Sequence, residues 1–135
     1  MARILLIDDD AEIRSAMRLA LEHVGHDVML ATDWQEGINA MNPYRAYPAR
    51  VIIVDIMLPD KSGLDLLGEL RPRYPEAGII AISADPEYLR KAARYRADRV
   101  LLKPFKAELL LATVEQVLQQ PRFWDLSRTR LGRNP

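Results

Sequence analysis

Residues 51–63 read VIIVDIMLPDKSG, four consecutive apolar residues ending in an aspartate and then a turn rich in proline, lysine, serine and glycine. A strand sends alternate side chains to opposite faces, so Val51–Val54 has no polar face to offer to water. A short run of this kind suits a parallel sheet covered by helices on both sides. Working outward, Ile4–Ile7 and Ile79–Ile82 carry the same signature, and Val100–Leu102 carries it in shorter form. His26–Leu30 starts polar and turns apolar only at Val28, which predicts an edge strand.

Helical periods fill the intervals. Ile13, Ala16, Met17, Ala20, Leu21 and Val24 follow the spacing of one buried helix face, and Gly25 supplies a stop. Further helices are predicted over Trp34–Met41, ended by Asn42-Pro43, and over Gly63–Tyr74, closed by Pro75. Two more are predicted over Pro86–Tyr95, where proline is tolerated in the first turn, and over Lys106–Gln119. In the last of these, Ala107, Leu110, Leu111, Val114 and Leu118 share a face. A strand followed by a helix, five times over, predicts a doubly wound α/β fold with right-handed crossovers. Asn42–Arg50 reads as a long surface loop. Residues 121–135 carry four arginines, one aspartate and no helical period, and read as a tail or linker stub beyond a domain spanning 1–120.

The bulk numbers narrow the class. With 135 residues the chain suits one domain, and 49% apolar and 28% charged residues are ordinary for a globular protein. Lys plus Arg and Asp plus Glu balance at 19 each, which gives no argument for nucleic acid. The absence of cysteine excludes disulfides, thiolate metal sites and cysteine nucleophiles. The longest apolar run is four residues, too short to span a membrane, and three aspartates by position 10 do not suit a secretory signal. The expectation is a soluble, cytoplasmic domain.

Ligands of open α/β sheets bind beyond the carboxyl ends of the strands. There the sequence places Asp8, Asp9 and Asp10, then Asp55, then Ser83, then Lys103-Pro104. Clustered carboxylates repel unless a cation compensates them, and Mg²⁺ suits one or two carboxylates with water and phosphate oxygens completing its shell. A lysine opposite supplies a point charge for a phosphoryl oxygen, and an aspartate can itself attack phosphorus to form an aspartyl phosphate.

ILLIDDD, VIIVDIMLPDKSG, IIAISA and LLKPF, in that order and each at a strand end, closely resemble the receiver domains of bacterial two-component response regulators, over residues 2 to about 120. The resemblance implies a flavodoxin- or CheY-like three-layer sandwich with strand order 2-1-3-4-5 and five helices. It also implies a signalling phosphoacceptor rather than an enzyme with turnover on an external substrate. Asp55 would be the phosphoacceptor, with Pro59 and Gly63 four and eight residues later. Asp8 and Asp9 would hold Mg²⁺ together with Asp55 and the Met57 carbonyl. Ser83 and Lys103 would contact the phosphoryl group, across a cis Lys103-Pro104 bond. The implied partner is a sensor histidine kinase or histidine phosphotransfer protein, with an unidentified downstream target, no direct nucleic-acid or membrane binding, and a possible homodimer through the fourth helix, fifth strand and fifth helix. Met57 and Asp85 fall where the family tunes dephosphorylation.

Three departures concern output more than chemistry: Val100 stands where an aromatic is frequent, Arg96-Ala97 where Gly-Ala is frequent, and Trp34 where a small residue is common. Each candidate also has a plainer reading. Asp10 is expected to serve mainly as a helix cap, Ser83 alone would pass for a capping hydroxyl, and Lys103 alone for a surface lysine. His23 and His26 have no ligand partners and are expected to be structural or solvent-facing. Met17 and Met29 are core candidates. Tyr44, Tyr47 and Trp124 form no stacking pattern, and Arg90, Arg94 and Arg96 suit either a partner face or a solvated helix. An aspartate-nucleophile phosphohydrolase would want Asp-x-Asp-x-Thr after the first strand, where this chain has Glu12 in place of the threonine.

Overall fold

A computed structural model describes residues 2–41, 49–58 and 63–120. Chain order is β1 (Arg3–Ile7), α1 (Ala11–His23), β2 (Asp27–Ala31), α2 (Trp34–Ala40), β3 (Val51–Asp55), α3 (Gly63–Arg73), β4 (Gly78–Ser83), α4 (Pro86–Arg94), β5 (Arg99–Leu102) and α5 (Ala107–Gln119). The five strands form one parallel sheet in the order β2-β1-β3-β4-β5. The doubly wound sheet, its strand order and the edge position of β2 agree with expectation.

Alternation within the strands produces the three layers. Leu5, Ile7, Ile52, Val54, Ile79 and Ala81 face one way and pack with Leu66, Leu67 and Leu70 of α3 and Leu89 and Ala92 of α4. Ile4, Leu6, Ile53, Ile80, Ile82 and Leu101 face the other way, onto Met17 and Leu21 of α1 and Leu110, Val114 and Val117 of α5. Every residue of β3 and β4 is buried. At about 1.5–3 kcal/mol for each large side chain withdrawn from water, this burial outweighs any single cap or surface ion pair.

Several local expectations needed correction. In α1, Met17 and Leu21 are buried, but Ala16 is exposed and Val24 is 50% exposed, because the helix contacts the sheet along a narrower stripe than its apolar periodicity suggested. In α5, Ala107 is exposed, whereas Thr113 and Val117 are buried. Thr113 fits there because its hydroxyl donates to the Leu109 carbonyl at 2.7 Å. The apolar run of β5 is not covered on both faces: Leu101 is buried, but Val100 and Leu102 are 39% and 47% exposed. β5 is the sheet's other edge, and covering both faces of an edge strand needs a helix on each side of it. Met17 is buried, while Met29 is half-buried and packs against the α2–α4 layer.

Two helix ends turn through the left-handed region. After α1, Gly25 has φ +95°, its N–H donates to Glu22 and that of His26 to Leu21, a Schellman closure. After α4, the same place is taken by Arg96 with φ +68°, and the N–H of Ala97 reaches back to Ala92 at 3.5 Å. His23 is exposed, and His26 accepts the Ala2 N–H on Nδ1 at 3.2 Å, so both histidines are solvent-facing or structural as expected. The expectations for Asn42-Pro43, Tyr44, Tyr47, Pro59, Trp124 and the tail 121–135 lie outside the described residues.

Candidate functional site

The parallel register sets the carboxyl ends of β1, β3, β4 and β5 side by side. Ile7 pairs with Val54, Asp55 with Ile82, and Ser83 with Leu102, so Asp8, Asp55, Ser83 and Lys103 occupy one rim. The backbone continues the ladder past the strands. The Asp8 N–H donates to Ala31, that of Ile56 to Ile82, and that of Lys103 to Ser83, at 2.8–3.1 Å. Rim residues are therefore positioned by the sheet itself rather than by free loops.

Asp8 is completely buried, Asp55 nearly so, and Asp9 is exposed. Carboxylate oxygens of the three lie within 4.8 Å of one another. Lys103 Nζ stands 2.8 Å from Asp55 Oδ2, to which it donates a hydrogen bond, and 2.8 Å from Asp8 Oδ2. The Asp8 contact is an ion pair without a well-directed hydrogen bond, so Asp8 Oδ2 is left with no hydrogen-bond donor among the described residues. The other oxygens are anchored. Asp8 Oδ1 accepts the Asp10 N–H at 2.9 Å, and Asp55 Oδ1 accepts the Met57 N–H at 2.8 Å.

The electrostatics follow from burial. Removal from water pushes the Asp8 carboxyl above its ordinary value, partly offset by Lys103 and the Asp10 N–H, while the Asp55 charge pushes it further up. Burial alone would lower Lys103. Its contacts with Asp55 and Asp8 outweigh that, and its pKa is raised, so the lysine stays cationic between two carboxylates.

Three acidic side chains around one lysine leave an excess of negative charge, all of it on hard oxygen donors. A buried carboxylate oxygen without a donor, beside an exposed Asp9, is what a small divalent cation reached from solvent would complete. The residues present therefore fit Mg²⁺. Asp10 stands apart from this group. Its carboxylate caps α1 by accepting the N–H groups of Glu12 and Ile13, as expected for it. Ser83 is fully buried on the rim, and its Oγ accepts the Asp85 N–H at 3.0 Å, while Asp85 in turn caps α4. Met57 is 49% exposed beside Asp55, and the Lys103-Pro104 bond is cis.

Two supporting features were not legible beforehand. Arg14 Nη1 donates to the Asp8 carbonyl at 2.7 Å and ties α1 to the rim. Gly63 opens α3 by donating its N–H to the Ile56 carbonyl at 2.9 Å, so close that a Cβ there would lie 1.9 Å from Ile56 Cα. The glycine was visible in the motif. Its reason, the helix start pressed on the residue after Asp55, requires the fold.

Comparison with known proteins gives consistent matches. The family model described as response regulator receiver domain matches residues 4–115. A probable transcriptional regulatory protein of Picosynechococcus is 34% identical over 90% of this chain and 51% of its own length. Chemotaxis response regulator CheY4 of Vibrio cholerae has a TM-score of 0.76 at 29% identity, covering 87% of this chain and 98% of that one. NtrX from Brucella abortus has a TM-score of 0.81 at 34% identity, covering 87% of this chain and 27% of that one. The chain thus spans about half the length of the cyanobacterial relative and nearly all of the chemotaxis regulator.

Proposed function

The chain belongs to the response regulator receiver family of two-component signalling, and on that premise we propose that Asp55 is its phosphoacceptor, with Mg²⁺ held by Asp8, Asp9, Asp55 and the Met57 backbone carbonyl. The observation that carries the reading is Lys103 Nζ at 2.8 Å from both Asp55 and Asp8, one cation joining the three strand ends where phosphoryl chemistry needs it. Bound Mg²⁺ supplies charge neutralisation on the phosphoryl oxygens and on the acidic cluster.

The protein's own residues do the rest. Lys103 Nζ donates to one Asp55 oxygen, and the Met57 N–H fixes the other. An Asp55 oxygen attacks phosphorus, and a P–O bond forms. The P–N bond to a donor phosphohistidine breaks, its electron pair stays on the imidazole nitrogen, and the ring leaves neutral after taking up a proton. Lys103 then follows the charge onto a phosphoryl oxygen. The Ser83 hydroxyl, which lies behind the start of α4, offers a second contact and links the acceptor to α4 and β5. Attack of water on phosphorus returns the carboxylate and inorganic phosphate.

In this reading the donor is a sensor histidine kinase or histidine phosphotransfer protein, and the working compartment is the cytoplasm. No described helix is long and apolar enough to cross a membrane. Output goes through the α4–β5–α5 face to a downstream target, without direct nucleic-acid contact by this chain. The test is intact mass after incubation with Mg²⁺ and acetyl phosphate. The chain should gain one phosphoryl group that hydroxylamine removes and that Asp55→Asn does not accept. An unchanged gain in Asp55→Asn would move the acceptor elsewhere, and steady turnover of an aryl phosphate would favour a phosphohydrolase.

A further inference from the structure

Of the three carboxylates in the acidic cluster, one has no anchor of its own. Asp8 Oδ1 accepts the Asp10 N–H, and the two oxygens of Asp55 accept from the Met57 N–H and Lys103 Nζ. The Asp9 carboxylate is exposed and has no hydrogen bond or ion pair among the described residues. Even so, one of its oxygens lies within 4.8 Å of those of Asp8 and Asp55. The backbone that carries Asp9 must therefore aim it.

Only Asp8, Asp9 and Asp10 join β1 to α1, and both ends of this link are held. The Asp8 N–H donates to the Ala31 carbonyl at 3.1 Å, and the Asp10 side chain caps α1. Between them lies the Asp8–Asp9 peptide. Because that unit is planar, the Asp8 carbonyl oxygen and the Asp9 N–Cα bond turn together about the bond from Asp8 Cα to its carbonyl carbon. Holding the oxygen fixes one of the torsions that direct Asp9. Arg14 holds it: from the first turn of α1, its half-buried side chain donates Nη1 to that oxygen at 2.7 Å. A short bond from a cationic donor is stronger than a neutral one. The Arg14 guanidinium pairs with no carboxylate among the described residues. α1 does not depend on this bond for its place, since Met17 and Leu21 are buried and Asp10 caps its first turn.

We propose that Arg14 is a positioning residue which, by gripping the Asp8 carbonyl, aims the Asp9 carboxylate at the Mg²⁺ position. The inference deepens the Mg²⁺ reading above and rests on it. Groups that orient a metal ligand without touching the ion are commonly worth about tenfold or more in metal affinity. The sign of the effect separates aiming from charge. A bare cation near the site repels Mg²⁺, so that removing it would tighten binding. Removing an aiming contact weakens binding.

The experiment titrates MgCl₂ into the whole chain without a phosphodonor and follows amide shifts. Wild type is compared with Arg14→Met, which keeps an aliphatic stem and loses the donor, with Asp9→Asn and with the double variant. Arg18→Met, which removes a cation paired with Glu22 on the same helix, is the control. Wild-type shifts should centre on residues 8–10 and 55–57. Arg14→Met should raise the Mg²⁺ Kd about tenfold, and Arg18→Met should leave it unchanged. In the Asp9→Asn background, Arg14→Met should cost no more than about twofold, because no carboxylate remains to be aimed. Phosphoryl uptake from acetyl phosphate, read by intact mass, supplies a second measure. Arg14→Met should need about tenfold more Mg²⁺ for its half-maximal rate yet approach the wild-type rate at saturating Mg²⁺.

Unchanged or tighter Mg²⁺ binding by Arg14→Met would overturn the proposal. So would an equal loss in both backgrounds, which would show that Arg14 acts without Asp9. Collapse of the whole amide spectrum in Arg14→Met would also overturn it, since α1 would then depend on the bond. Wild-type shifts at the cluster with no Arg14 effect leave the Mg²⁺ reading standing and this inference fallen. An absence of Mg²⁺-dependent shifts in wild type would bring down both.

Discussion

Replacing Lys103 with methionine removes the cation between two buried carboxylates and keeps most of the side chain's volume. At 2.8 Å and an effective dielectric near 20, each contact has a gross attraction of about 6 kcal/mol. That sum is not the expected loss, because the variant can escape by protonating Asp8. With an ordinary carboxyl value of 3.8, protonation at pH 7 costs at most about 4 kcal/mol, and burial has already raised Asp8, which lowers the cost. The expected destabilisation at pH 7 is therefore about 2–4 kcal/mol, a fall in Tm of roughly 8–16 °C for a domain of this size.

The pH dependence discriminates. In the variant the folded Asp8 pKa lies further above 3.8, so the folded state binds a proton that the unfolded chain lacks. Variant stability then falls as pH rises from 3.8 towards the raised folded value. Lys103 itself has a folded pKa raised above 10.5, so in the wild type its contribution is intact below that value and lost only at strongly alkaline pH. The gap between the proteins should accordingly open from near zero around pH 4 to its full size near pH 7. Urea unfolding in parallel buffers measures it, and added Mg²⁺ should stabilise the variant more than the wild type, because the dication replaces the missing ammonium. A gap that stays constant across this range would refute the reasoning, since it would show that packing rather than charge is lost.

Four further outcomes follow from the same geometry. Asp8→Asn should raise Tm in Mg²⁺-free buffer while weakening Mg²⁺ binding, and the gain should grow with pH above 3.8, because the folded state holds the Asp8 charge unfavourably. Gly63→Ala should cost about 3 kcal/mol or more, or displace the segment after Asp55, since its Cβ would lie 1.9 Å from backbone; chemical unfolding and the amide shift of Met57 read the two alternatives. Arg71→Ala should cost about 2–4 kcal/mol in urea unfolding, because Arg71 donates to the Ala77 and Arg96 carbonyls, which lose that donor, and because its ion pair with the half-buried Asp98 is lost. Arg96→Gly should raise stability by up to about 1 kcal/mol by calorimetry, because φ +68° suits glycine and strains a residue with a Cβ.

The last two connect to what was readable in advance. Arg96 was visible only as a departure from a frequent Gly-Ala pair, and its meaning emerges from the Schellman-like exit of α4, where the chain turns left-handed. Arg71 carried no signal at all. Its acceptors come from the α3–β4 and α4–β5 connections, 4 to 27 residues away in sequence, and no periodicity encodes such a meeting. The exposure of Val100 and Leu102 was hidden for a related reason. An apolar run specifies that a strand prefers burial, but whether both faces are covered depends on where the neighbouring helices settle.

Sequence alone determined the parallel sheet and its helices, because period-2 and period-3.6 hydrophobic patterns are local and the apolar runs have no polar face. It also determined which residues end the strands, and through the family resemblance it placed Asp8, Asp9, Asp55, Ser83 and Lys103 on one rim. Only the tertiary structure decided that Lys103 is shared between Asp8 and Asp55 and that Asp8 Oδ2 is left without a donor. The physical reason is range. A strand or helix pattern is set by neighbours a few residues apart, whereas these contacts are set by parallel register between strand ends 48 or more residues apart, which exists only once the sheet has formed.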